Sequence, residues 1–269
     1  MYADAANVSE RQLQPPALAI STVIFALRPS ATSGRPTLWL PLVRRIRQPH
    51  LGKWALPGGP LAQVESLQDA ASRNLRETTG LVPNYLEQLY AFGGLDRAAT
   101  QRLVSIVYWA LVQPDEAALT QESENVKWFR ADKLEDLAFD HNSIVDYALW
   151  RLRSKVEYGS IAYHFLGETF TLAQVREVYE AVLDRHLDPA NFRRQLRATP
   201  DITPTDDYLQ GVRHRPPRLY RYTGSTGTLG AQATSGQATP AETTSTSAST
   251  STSASTSTSA STSTIASTD

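Results

Sequence analysis

Residues 59–81 read GPLAQVESLQDAASRNLRETTGL, and the placing of small, polar and apolar side chains in that stretch predicts a loop running into a helix. From Ser66 to Thr79 the apolar positions Leu67, Ala70, Ala71 and Leu75 recur at helical spacing, and Gly80 is a natural C-terminal stop. Upstream, residues 18–27 (LAISTVIFAL) read as a buried strand, rich in β-branched residues and too short for a helix. A Pro/Ser/Gly turn at 29–36 leads to a second strand, LWLPLVRR. Downstream, residues 86–94, 103–113 (LVSIVYWALVQ) and 126–130 read as further strands. This alternation predicts a mixed sheet flanked by helices.

The spacing within the stretch is more specific than its helix. Gly59, five residues, Glu65, seven residues, then Arg73, Leu75, Glu77, Gly80 and Leu81 in their places resemble the Nudix box, which implies an α/β/α sandwich that handles a diphosphate. The box departs from that pattern at Asn74 and Thr78, where glutamates are expected. Positions 74, 77 and 78 of a helix lie on neighbouring faces. Glutamates there would converge on magnesium, which takes about six oxygen ligands. Only Glu77 remains, beside an amide and a hydroxyl, and Glu65 is more than two turns away. No catalytic residue and no metal site are therefore expected, with Glu77 at most a weak magnesium ligand. Glu77 also reads as a carboxylate paired with Arg73. Binding has other candidates: Arg44, Arg45 and Arg76 for phosphate oxygens, Phe25, Trp39 and Trp54 for stacking a base, and Gly58 and Gly59 for close backbone approach.

The second half of the chain has a different plan. Asn142 is a candidate cap for a helix to about Tyr158, with Ile144, Val145, Ala148, Leu149, Leu152 and Val156 on one face. A short helical piece over 160–166 follows. A helix over 171–184 opens on a capping box, Thr171 with Gln174. A third helix has Asp188 as N-cap and Pro189 at its first position. Residues 202–222, ITPTDDYLQGVRHRPPRLYRY, then read as two extended pieces around polar turn residues. Three helices and a β-wing make a winged helix-turn-helix. On a helical wheel Phe192 and Leu196 face the core. Asn191, Arg194 and Arg197 face outward with Arg193 at the flank, which suits reading base edges in a major groove. Arg213, His214 and Arg215 at the wing tip suit phosphates or the minor groove.

Charge agrees with that division. Residues 16–150 carry 13 basic and 14 acidic side chains, whereas residues 151–222 carry 12 and 9. Basic excess confined to one module points to a polyanionic partner. The chain has no cysteine, which excludes disulfides and thiolate metal sites and fits a reducing cytoplasm. No apolar run is long enough for a membrane span, and residues 1–15 lack the pattern of a secretory signal. Expected domains are a disordered leader (1–15), a ligand-sensing domain (16–150), a DNA-binding domain (151–223, joined through a linker helix at 142–158) and a disordered tail (224–269). In residues 241–269, 21 of 29 positions are Ser or Thr, too polar to offset the entropy of ordering.

Together the box, the SKVEY segment at 154–158, the helices TLAQVREVYEAVL and DPANFRRQL, and the ending GVRHRPPRLYRY resemble the NrtR family of Nudix-related regulators of NAD metabolism. The likeness covers residues 16–222. It implies a homodimeric bacterial repressor that binds a near-palindromic operator in double-stranded DNA, in the cytoplasm at the nucleoid. ADP-ribose or a related NAD-derived nucleotide would be the effector, with no required cofactor. Two rivals stand beside it: a magnesium-dependent hydrolase of ADP-ribose or another nucleoside diphosphate derivative, and a sensing scaffold whose C-terminal module docks protein.

Overall fold

The structure, a computed structural model, describes residues 15–98, 101–120, 122–211 and 215–224. Its centre is a seven-stranded mixed sheet. Strands β1 (Ala17–Pro29), β2 (Pro36–Arg44), β5 (Tyr85–Phe92) and β6 (Leu103–Val112) lie in the order β2-β1-β6-β5. The two-residue β3 (Trp54–Ala55) and β7 (Val126–Arg130) both pair with β2, and β4 (Gly58–Pro60) pairs with β1. Among the described residues only β1 and β6 run parallel, in a register from Ala17↔Leu103 to Ala26↔Val112.

Strand β1 is apolar on both faces because both are covered. Val23, Phe25 and Leu27 point into the larger core with Leu40, Leu42 and Trp109. Ile24 and Ala26 point the other way, toward Leu75 and Leu81. The second face is closed by α1 (Leu67–Thr79), in which Ser66 accepts from the Asp69 N–H as N-cap and Gly80 ends the helix at φ 74°. The first face is closed by α3 (His141–Tyr158), whose six expected apolar residues are all buried. A one-turn helix, α2 (Pro114–Ala118), follows β6.

Asn142 does not cap α3; Asp140 stands at that position. The Asn142 amide instead accepts from the Leu137 N–H at 2.8 Å and donates to the Glu135 carbonyl at 2.9 Å, so it ties down the loop before the helix.

After α3 comes a 3-10 turn (Ser160–Phe165), then α4 (Leu172–Leu183), α5 (Pro189–Ala198) and the hairpin of β8 (Ile202–Tyr208) with β9 (Arg218–Tyr222). Phe170 bridges Tyr220, adding a third edge to the wing. Both expected caps are present: Thr171 and Gln174 form the reciprocal box on α4, and Asp188 accepts from the Asn191 N–H on α5. Helix α4 is shared between two cores. Leu172 and Val175 pack with Phe170, Phe192, Leu196 and Ile202, whereas Val178 and Val182 join the core of the sheet domain. The expected boundary at residues 150 and 151 therefore falls inside α3, with buried apolar packing continuing past it. Among the described residues no helix is long and apolar enough to cross a membrane.

Candidate functional site

Arg73 organises the box helix. Its Nε and Nη2 hold the two Glu65 oxygens at 2.9 and 2.7 Å, and its Nη1 reaches Glu77 at 3.3 Å. The bidentate pair, with a further bond from the Ala62 N–H, holds the Glu65 carboxyl down to about 2. Thr78 spends its hydroxyl on the Asn74 carbonyl one turn back, and Asn74 is buried with its Nδ2 lacking a partner. These residues do not fit a magnesium ion. One carboxylate serves an arginine, the other is exposed and shared with the same arginine, and the neutral Asn74 amide oxygen already accepts from that arginine's Nη1 at 3.3 Å. Among the described residues no cluster of three His, Asp or Glu side chains could hold a metal.

Beside α1 lies a cleft of about 370 Å³. It is lined by residues of β1 and β4, and by the end of β2 with the loop after it. Arg97, from the turn after β5, and Phe139 and His141, at the start of α3, line it too. Arg44, Arg45, Arg47 and Arg97 line it, and among the described residues no Asp or Glu does. Arg45 places its guanidinium 4.6 Å from the Phe139 ring centre, and burial lowers its pKa. Arg97 is almost enclosed and forks onto Asp140, with Nη2–Oδ1 at 2.7 Å and Nε–Oδ2 at 3.1 Å. A cationic cleft without carboxylates is suited to a polyanion such as a diphosphate.

Of the expected ligand contacts, the cleft brings together Arg44, Arg45, Gly58 and Gly59. Phe25 is excluded: it is 0% exposed inside the sheet core, where no base can reach its ring. Trp54 packs edge-on against Phe129 at 5.0 Å, and Trp39 donates its indole N–H to Thr37, so neither lines the cleft. Arg76 and Glu77 are exposed on α1 and also stand outside the lining. The glycines have a packing reason of their own. A Cβ at Gly58 would sit 2.3 Å from the Ile20 carbonyl oxygen, and one at Gly59 would sit 2.7 Å from Asn74 Oδ1. Arg47, Arg97, Phe139 and His141 were not foreseen. Arg47 at least stood two residues from a named pair, but Arg97 and His141 come from distant segments that only the fold unites.

His141 is the most buried titratable group of the cleft. Its Nδ1 accepts from the Leu56 N–H at 3.0 Å, and burial pushes its pKa down to about 4. Below pH 6.5 the unfolded chain takes up a proton that the folded chain refuses. Stability from this group is thus complete above pH 6.5 and is lost as pH falls toward 4, by roughly 3 kcal/mol. Urea midpoints at pH 7 and pH 5 should drop further apart in the wild type than in His141→Asn; equal drops would contradict the buried neutral ring.

In the C-terminal module, α5 presents Asn191, Arg193, Arg194 and Arg197 to solvent, while Phe192 and Leu196 are buried. Arg194 Nη2 donates to Asn191 Oδ1 at 2.7 Å, which pre-sets both side chains on the outer face. Arg215 is exposed at the wing; Arg213 and His214 lie outside the described residues. The wing also carries two arginines not foreseen, Arg221, exposed on β9, and Arg218, whose Nε is spent on the Thr205 carbonyl at 2.6 Å.

Comparison with known proteins agrees with both halves. Residues 21–148 match the Nudix domain, and residues 162–222 match the NrtR DNA-binding winged helix domain. The chain is 34% identical over 187 residues to the ADPR responsive transcriptional repressor NtrR of Acinetobacter baylyi, covering 67% of this chain and 74% of that protein. The crystal structure of Shewanella oneidensis NrtR is 32% identical with a TM-score of 0.67, covering 77% of this chain and 94% of that one. The same Shewanella protein complexed with a 27mer DNA gives 31% identity and a TM-score of 0.65, covering 76% and 93%. Fold and sites therefore define a Nudix domain with an anion-suited cleft, continuous with a DNA-binding winged helix. The chain belongs to the NrtR family of transcriptional regulators.

Proposed function

We propose that this chain is a DNA-binding repressor of genes for NAD synthesis or salvage, and that its Nudix domain senses ADP-ribose or a related NAD-derived nucleotide without hydrolysing it. The observation that carries the reading is the pairing of two cationic sites. One is a cleft lined by four arginines and no carboxylate; the other is a recognition helix with an outward Asn and three outward arginines. In the cleft, guanidinium groups compensate a diphosphate directly, which makes a bridging metal unnecessary. The Acinetobacter relative, named as ADPR responsive, supports the effector, and the Shewanella protein bound to a 27mer DNA supports the partner.

Residues 16–150 serve as the sensing domain and residues 151–223 as the reading domain, with α3 belonging to both. In a homodimer the two α5 helices enter successive major grooves of a near-palindromic operator. The effector acts through its different affinity for DNA-competent and incompetent dimers. Asn191, Arg193, Arg194 and Arg197 read or anchor the groove, and Arg213, His214 and Arg215 take phosphates or the minor groove.

The test is a duplex titration on the gene's own upstream region, with and without ADP-ribose. Binding should weaken steeply as salt rises and change at least tenfold, about 1.4 kcal/mol, on adding ADP-ribose. Absence of duplex binding would remove the repressor reading; duplex binding indifferent to ADP-ribose would remove the effector.

A further inference from the structure

One donor in the cleft has no use inside the protein. His141 is 6% exposed, lines the cleft and is the first residue of the 18-residue helix α3. Its Nδ1 accepts from the Leu56 N–H, so the proton of the neutral ring resides on Nε2. Among the described residues Nε2 has no protein hydrogen-bond partner. Nε2 is not fully enclosed, so in the cleft its N–H is open to water or to a ligand.

The surroundings point to an anionic acceptor. The N-terminus of α3 carries the partial positive charge of its backbone N–H groups. Arg97 neutralises the neighbouring Asp140, and Arg45 stands over Phe139, whose ring centre is 5.5 Å from that of His141. The charged and titratable groups around the ring are Asp140, Arg97, Arg45 and His50; only Asp140 favours its protonation, and burial outweighs it. The imidazole thus offers the cleft a neutral donor whose direction is set by the Leu56 bond.

We propose that His141 is a ligand-binding contact of the cleft, donating its Nε2–H to a phosphate oxygen of the diphosphate held by the neighbouring arginines. This rests on the reading of the cleft as the ADP-ribose site. It adds a link between the ligand and the first residue of the helix that leads to the reading domain. At the far end of α3, Arg153 Nε donates to the Val182 carbonyl at 3.1 Å and Glu157 pairs with Arg185 at 3.2 Å, so both ends of one helix are held.

Two isosteres separate the roles of the two ring nitrogens. His141→Asn places an acceptor near the Nδ1 position and no group at Nε2; His141→Gln reaches the Nε2 position with an amide N–H and gives up the bond to Leu56. By calorimetry on the full chain, His141→Asn should bind ADP-ribose about 10- to 100-fold more weakly, the range for losing a hydrogen bond to a charged group. His141→Gln should recover part of that loss. ADP shares the diphosphate and should show the same loss. A loss confined to ADP-ribose would place the bond on the terminal ribose and overturn the phosphate assignment. In the wild-type protein the His141 Hε2 resonance should move downfield on adding ADP-ribose, a readout that needs no variant to fold. Wild-type affinity in His141→Asn, or an unmoved Hε2 resonance in saturated protein, overturns the inference alone. A wild-type chain that binds neither ADP-ribose nor ADP overturns the reading of the cleft as well.

Discussion

On the proposed reading, Arg194→Ala should remove about 1–3 kcal/mol of specific operator binding per half-site, which in a symmetric dimer compounds to roughly 2–6 kcal/mol for the full site. The side chain stands on the outer face of α5, buries nothing, and is already held by Asn191 at 2.7 Å. Because the two groups share a bond, Asn191→Ala and the double variant should not add: the second substitution costs less once the first is made. Arg215→Ala should behave differently. As a phosphate contact it lowers affinity for every sequence alike and reduces the salt slope by about one unit. Anisotropy titrations over several salt concentrations distinguish the two. Equal affinity of Arg194→Ala and wild type for the operator would remove α5 as the reading helix.

The second large effect is a gain. Asn74→Glu with Thr78→Glu restores the carboxylates that the Nudix pattern expects and should produce magnesium-dependent release of AMP from ADP-ribose. The rate should exceed wild type by on the order of 10²-fold or more, since a bound metal supplies several kcal/mol of stabilisation to a developing phosphoryl charge. The cost is visible in the structure. Asn74 is 4% exposed against Gly59, so an unpaired carboxylate there is desolvated. Without magnesium the double variant should melt below wild type, and magnesium should restore much of the difference, because an ion bound only to the folded state stabilises it. Phosphate release coupled to a phosphatase measures the first effect and a thermal scan the second. Wild-type protein that already releases AMP at the variant's rate would contradict a silent box.

How far these sites were legible differs by residue. Helix α1, its stop at Gly80 and the buried stripe of α3 follow from periodicity, because one side of each helix must meet the sheet. The outward face of α5 follows from the same geometry, since Phe192 and Leu196 leave Asn191, Arg194 and Arg197 no other direction. Arg44 and Arg45 were accessible because they end a strand, where side chains leave the core. Phe25 was not: in a strand covered on both faces, alternation does not tell a ligand-facing ring from a core one. Arg97 and His141 were invisible for another reason. They lie far from the box in sequence, and their meeting depends on the parallel pairing of β1 with β6 and the return of α3 across the sheet. Asn142 shows the limit of capping signals, since its amide satisfies the loop of Glu135 and Leu137 and leaves the cap position to Asp140.

The division of α4 between two cores has a practical consequence for anyone who would cut this protein in two. A fragment confined to residues 162–222 would turn Val178 and Val182 from 1% and 0% exposure toward water, with Phe165 beside them. The fragment would therefore carry an oily scar where its sensing partner had been. The reading head is less a passenger on a flexible tether than a limb grown from the same bone.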